Sequence, residues 1–261
     1  MSLSLGMSTV RIDVKGPAAV LRLDKPRGNA IDEPLVRDLL QAARDLGADR
    51  SVRGVLLISA HPKLFCPGLD LVTLIELDRG AMERFMLLFA ELVWALYGLP
   101  KPMVAGVNGH AVAGGCILAL TADHRVLRRG GAQIGLNEVR VGLPLPWSVT
   151  ELLRASVPPN ALSQVALLGR NFIDQEALRV GLADELADAD GFEDHCLLRL
   201  GEFIDKDAYA VITTKAALRH HTVERMKAHE RERIGGWLDG WFSGTTRARM
   251  RELATALTKG R

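Results

Sequence analysis

Residues 103–122, MVAGVNGHAVAGGCILALTA, carry the pattern that decides the fold. Met103 to Val107 is an apolar, strand-like run. Asn108-Gly109-His110-Ala111-Val112-Ala113 is a turn of mostly small residues, and Gly114-Gly115-Cys116 opens an apolar helix over 115–122. Backbone N–H groups at such a helix start carry partial positive charge and favour a developing anion. The apolar stretch is nearly long enough to cross a bilayer, yet Asn108, His110 and four glycines interrupt it. A buried strand, loop and helix account for it better than a membrane span. It is neither a phosphate loop nor a dinucleotide fingerprint, because both glycine patterns are missing. Two readings stand for His110: a catalytic group, or a structural histidine in a turn.

Working outward, short β-branched runs predict strands over 10–14, 19–23, 54–59, 103–107 and 124–127. Helical patterns over 34–46, 81–99 and 115–122 lie between them, which predicts an α/β fold with substantial parallel pairing. From residue 158 the chain reads mostly helical, over 161–168, 175–180, 192–203, 208–219 and 223 to the end. This predicts a mixed core over 1–157 and a helical region over 158–261. Trp237, Trp241 and Phe242 are spaced to share one helix face. That stripe packs a core or a subunit contact, lines a pocket, or does both.

Composition narrows the function. Net charge is +2, from 33 basic and 31 acidic residues, so no broad field draws the chain to nucleic acid or membrane. Arg125 with Arg128 and Arg129, and Arg247 with Arg249 and Arg251, form local basic clusters. Each reads as solvated surface or as a contact for a small anionic ligand. Three dispersed cysteines offer neither a disulfide framework nor metal-ligand spacing, and a reducing cytoplasm is the expected compartment. Residues 1–6 lack a basic segment and do not read as a signal peptide, and Met7 is an alternative start. Residues 86–99 are broken by Glu91 and too short to span a bilayer.

Two more segments carry chemistry. Phe65-Cys66-Pro67-Gly68-Leu69-Asp70-Leu71 follows a predicted strand, at the end where open α/β sheets place ligands. Gly68 lets a ligand approach the backbone, and Asp70 and Thr73 are candidate caps of a following helix. Cys66 reads as a small packed residue or as a nucleophile. In Ile134-Gly135-Leu136-Asn137-Glu138, followed by Val139 to Pro144, Glu138 has apolar neighbours. An apolar setting disfavours its charge and makes it a stronger base once ionised. The competing reading is a surface glutamate paired with Arg140.

Together the three segments resemble the crotonase (enoyl-CoA hydratase/isomerase) superfamily, over nearly the whole chain from LDKPRGNA (23–30) onward. The resemblance implies a spiral of ββα units with a C-terminal helical region that serves trimerisation and the acyl pocket. It implies a homotrimer or dimer of trimers, an acyl-CoA thioester as substrate, and neither a separate cofactor nor a metal. Leu69 and Gly114 would supply the oxyanion hole. Arg27, Cys66, Gly68, Asp70, Leu71 and Asn137 would bind CoA or substrate, with Arg27 near the phosphates. Ile117, Trp237 and Trp241 would line the acyl pocket, and Glu138 would be catalytic.

Hydratases of this superfamily use two glutamates, and the first of those positions is Ile117 here. A one-glutamate site fits a 3-enoyl-CoA to 2-enoyl-CoA isomerase. FCPGLDL (65–71) and IGLNE (134–138) are similar to the mitochondrial-type isomerases. The alternatives are an enoyl-CoA hydratase or another reaction on a CoA thioester. A further alternative, a non-catalytic member that binds for instance RNA, is opposed by the balanced charge and by Glu138.

Overall fold

The chain repeats one move: a long strand in a first sheet, a short strand in a second, then a helix. The computed structural model describes residues 7–26 and 28–259, so Arg27 lies outside the described residues. β1 (Val10–Lys15) and β2 (Ala18–Leu23) form an antiparallel hairpin, followed by α1 (Glu33–Ala48). The first full turn is β3 (Gly54–Ser59), β4 (Leu64–Cys66), α2 (Leu71–Leu74) and α3 (Arg79–Tyr97). The second is β5 (Met103–Val107), β6 (His110–Val112) and α4 (Gly114–Leu120). The third is β7 (His124–Arg128), β8 (Gln133–Gly135), a one-turn 3-10 helix (Glu138–Val141) and α5 (Trp147–Ser156). Beyond it come α6 (Leu162–Leu167), β9 (Phe172–Ile173), α7 (Asp174–Arg179), β10 (Glu185–Ala187), α8 (Phe192–Ile204), α9 (Ala208–Phe242) and α10 (Gly244–Lys259).

The first sheet runs β1-β2-β3-β5-β7-β10, parallel from β2 onward. The second runs β4-β6-β8-β9, with β4, β6 and β8 parallel and β9 antiparallel. This is the expected α/β spiral of ββα units. The boundary read near Val157 cuts across both sheets, because β9 and β10 lie beyond it and close one edge of each. The mixed core therefore continues to Ala187, and α8 covers one face of the first sheet with Cys196 and Leu200.

Caps mark three helix starts. Asp32, Asp78 and Asp207 accept from Leu35, Ala81 and Ala210 N–H at the starts of α1, α3 and α9. The break read between 219 and 223 is absent: α9 runs unbroken through His220, His221 and Thr222. Tertiary contacts override their weak helix propensity. Lys215 and Arg219 each reach an oxygen of Asp123 at 2.7 Å, and Arg219 also caps the carbonyls of Thr121 and Ala122. α5 was not read from the sequence. Its first turn is closed from outside, where Glu230 of α9 accepts from the N–H and hydroxyl of Ser148.

Candidate active site

Because β4, β6 and β8 are parallel neighbours, their carboxyl ends lie side by side. Leu69, Gly114 and Glu138 follow those ends within three residues each. Three successive turns of the spiral thus deliver the three candidate residues to one place, the end of the sheet where α/β folds bind ligands.

The backbone leaves two N–H groups free there. Ile31 donates to Gly68 C=O at 2.8 Å and accepts from Asp70 N–H at 2.8 Å, forming a parallel bridge opposite Leu69. In a parallel ladder such bonds flank the opposite residue, so the Leu69 N–H faces away from Ile31. Gly114 is the first residue of α4, and a first-turn N–H has no intrahelical acceptor. Among the described residues neither N–H has a backbone partner. The two segments approach closely because both Gly114 and Gly115 lack a Cβ. On Gly115 it would lie 2.0 Å from the Cys66 carbonyl oxygen, and on Gly114 2.6 Å from Ile31 Cδ1. Ala113, just before them, has φ +51 and ψ −119, a region an L side chain rarely adopts. The strained turn is held by its N–H to Gly135 C=O and by Ile117 N–H to Ala113 C=O.

A cavity of about 230 Å³ opens beside these groups. Leu69, Gly114, Ile117, Asn137 and Glu138 all line it, as do Leu71 and Trp237. Glu138 is its one ionisable lining residue among the described residues. The Oε2 atom is buried without a partner, and burial pushes the carboxyl up from an ordinary value near 4.5 to about 7. No ion pair joins Glu138 to Arg140 among the described residues, which removes the surface-pair reading. The Leu143 N–H to Glu138 C=O bond, 3.1 Å, fixes the backbone.

Other candidates fall elsewhere. Trp241 does not line the cavity; it is fully buried and stacked behind Trp237, with ring centroids 5.3 Å apart. The apolar stripe is therefore satisfied within the chain and gives no reason for subunit packing. Cys66 sits behind the hole, where its thiol donates to Asn29 C=O and burial pushes it up to about 12, too high for a nucleophile. Asp70 makes no side-chain cap. Its carboxylate faces Lys25 at 3.4 Å, while Lys25 also pairs with Asp32 at 2.7 Å. Gly68 shapes the turn with φ +100. His110 is exposed on β6, away from the cavity lining, and its ring accepts from Gln133 N–H. Arg125 and Arg129 are engaged by Asp184 and Asp188, and Arg128 by the Pro62 carbonyl. Sequence reading missed Met86 and Phe89 of α3 and Met250, Leu253 and Leu257 of α10, all on the cavity wall. Their apolar helical spacing is indistinguishable from that of core residues.

Residues 14–235 match the family model described as enoyl-CoA hydratase/isomerase. The chain belongs to the enoyl-CoA hydratase/isomerase family. Family members similar to it carry both names. The human protein "Enoyl-CoA delta isomerase 1, mitochondrial" is 29% identical over 218 residues, covering 83% of this chain and 72% of that protein. A protein of Mycobacterium tuberculosis named "Probable enoyl-CoA hydratase EchA17" is 30% identical over 232 residues, covering 87% and 88%. Among solved structures of the family, human mitochondrial delta3-delta2-enoyl-CoA isomerase superposes with a TM-score of 0.92 at 25% identity, covering 97% of this chain and 100% of that one.

Proposed function

We propose that the protein converts 3-enoyl-CoA thioesters to 2-enoyl-CoA thioesters, with Glu138 as the single acid-base. The observation that carries this reading is Glu138, the cavity's lone ionisable group among the described residues, facing a space walled by Ile117 and other apolar side chains. The Leu69 and Gly114 N–H groups receive the thioester oxygen. Glu138 takes a proton from C2, the dienolate charge settles on that oxygen, and the same carboxyl group returns the proton at C4. One group suffices because the second transfer is the first in reverse. Hydration would require water to be activated as well as a proton delivered, and Ile117 offers no second carboxylate for that. A pKa near 7 suits a group that must accept and then donate at neutral pH.

The hydratase reading keeps one argument, the similarity to a named probable hydratase. Purified protein assayed with 3-enoyl-CoA and 2-enoyl-CoA side by side decides between them. Isomerisation well above hydration is expected, and efficient hydration would overturn the isomerase assignment. A homotrimer or dimer of trimers belongs to the same proposal. Its support is that the single chain leaves Leu167, Leu168 and Leu218 largely in water. Light scattering that gives a monomer at micromolar concentration would refute it.

A further inference from the structure

The first sheet carries a second cavity, on the side that α8 covers. Its volume is about 460 Å³, within the range of small-molecule sites. It lies at the carboxyl end of the parallel strands, the end where open α/β sheets bind ligands. Ser59 ends β3, Arg128 ends β7 and Asn108 follows β5, and all three line it. Ile58 and Phe192, also in the lining, belong to the apolar cluster between the sheet and α8. Among the described residues, none that lines this cavity also lines the cavity of Glu138.

Three guanidinium side chains converge on it. Arg11 and Arg22 are direct cross-strand partners on β1 and β2, so their like charges share one face of the hairpin, which is unfavourable by itself. Acids hold both: Arg22 lies between Asp13 and Glu193, at 3.0 and 2.6 Å, and Arg11 meets Asp24 at 3.2 Å. Arg128 joins them from β7, across β3 and β5. Of the basic cluster Arg125, Arg128 and Arg129, Arg128 alone has no carboxylate partner among the described residues. One of its N–H groups goes to the Pro62 carbonyl, which fixes the guanidinium and leaves its other donors for a ligand. The Asn108 side chain adds none, because its amide is taken up by Ser59 and His61. Two carboxylates line the cavity. Glu193 is neutralised by Arg22 and Lys15, at 2.6 and 2.9 Å. Asp194 is exposed and has no ion pair among the described residues.

We propose that this cavity binds a small phosphate ester bearing hydroxyl groups, at a site separate from the candidate active site. Arg128 takes two phosphate oxygens through its planar fork, and Arg22 and Arg11 add positive charge around them. The hydroxyls of the ester donate to the Asp194 carboxylate. That carboxylate repels a free anion and welcomes a donor, so the arrangement favours an ester over inorganic phosphate.

Calorimetry at low ionic strength with glycerol 3-phosphate and with inorganic phosphate tests this. The wild type should bind the ester about tenfold more tightly than inorganic phosphate. Arg128→Gln should weaken the ester by about tenfold or more. Arg128→Lys, which keeps the charge without the fork, should fall between the two, and it carries the same comparison should Arg128→Gln lose its fold by circular dichroism. Arg37→Gln, an exposed site on α1, controls for general charge and should bind like the wild type. Saturating butyryl-CoA should leave the affinity for glycerol 3-phosphate unchanged. A wild type that does not bind the ester, or binds both ligands equally, would overturn the proposal, as would folded Arg128 variants with wild-type affinity. Displacement of the ester by butyryl-CoA would overturn it too, because the phosphate would then occupy the CoA site.

Discussion

Gly114 lies against Gly68 so closely that a Cβ on Gly114 would stand 3.2 Å from the Gly68 Cα. The two glycines bring together backbone segments that are 46 residues apart in the chain, and the Leu69 and Gly114 N–H groups share one pocket for that reason. Only proline would delete either N–H, and its ring would distort the turn as well; an added side chain changes their spacing instead.

Gly114→Ala should push the segments apart, since the added methyl also meets Ile31 Cδ1 at 2.6 Å. Loss of one well-placed donor lowers turnover by about 10²–10³, and that range is expected for kcat on 3-enoyl-CoA, with the fold retained by circular dichroism. Gly236→Ala is the contrast. It sits inside α9 with nothing within 4 Å of its Cβ position, and it should raise stability by about 0.5–1 kcal/mol with kinetics unchanged.

Glu138→Gln should lower isomerase turnover by about 10² or more. It should also change the pH dependence of stability in a defined direction. Between pH 4.5 and about 7 the native carboxyl holds a proton that the unfolded chain has released. Its contribution is fully present below pH 4.5 and is lost as pH rises through about 7. At pH 8 the variant should exceed the wild type by about 1–3 kcal/mol in denaturant titrations, and below pH 4.5 the two should converge. Wild-type kcat/KM should rise with pH through the same region, because abstraction needs the ionised form.

Asp123 holds α9 to the sheet, and its removal leaves Lys215 and Arg219 buried without a counter-charge. Burial already pushes Lys215 down to about 8. Asp123→Ala should cost about 3–5 kcal/mol, the usual penalty for orphaning a buried partner. Adding Lys215→Met should recover part of it, measured as a rise in the urea midpoint.

Legibility followed the range of the interactions. The Leu69, Gly114 and Glu138 segments could be read because glycine turns after apolar runs are local patterns. The five strands read from the sequence, over 10–14, 19–23, 54–59, 103–107 and 124–127, fall within first-sheet strands of the structure. The second sheet was not legible: β4, β6 and β8 have three residues each, too few to show a period of two. The continuity of α9 through Thr222 depends on Asp123, nearly a hundred residues away in the chain. The burial of Trp241 behind Trp237 was equally hidden, since one helix face presents the same spacing to a pocket and to a core.

Ile117 tests the division between isomerase and hydratase most sharply. It is 3% exposed, lines the cavity and sits in the first turn of α4, with its N–H on Ala113 C=O. Ile117→Glu puts a second carboxyl into a space that already raises the first to about 7. Two carboxylates there cannot both ionise cheaply, so the pair should share a proton near neutral pH. A shared proton is what hydration needs: one group to activate water and one to deliver a proton. The ratio of hydration to isomerisation should therefore rise in the variant, while total activity falls because the new side chain lacks supporting partners. Burial of an unpaired polar group should cost about 1–3 kcal/mol in stability. Side-by-side assays with 2-enoyl-CoA and 3-enoyl-CoA give the ratio, and Ile117→Gln, which has the shape without the titratable group, serves as control. A ratio that falls, or that rises equally in Ile117→Gln, would show that the carboxyl missing at this position does not separate the two reactions.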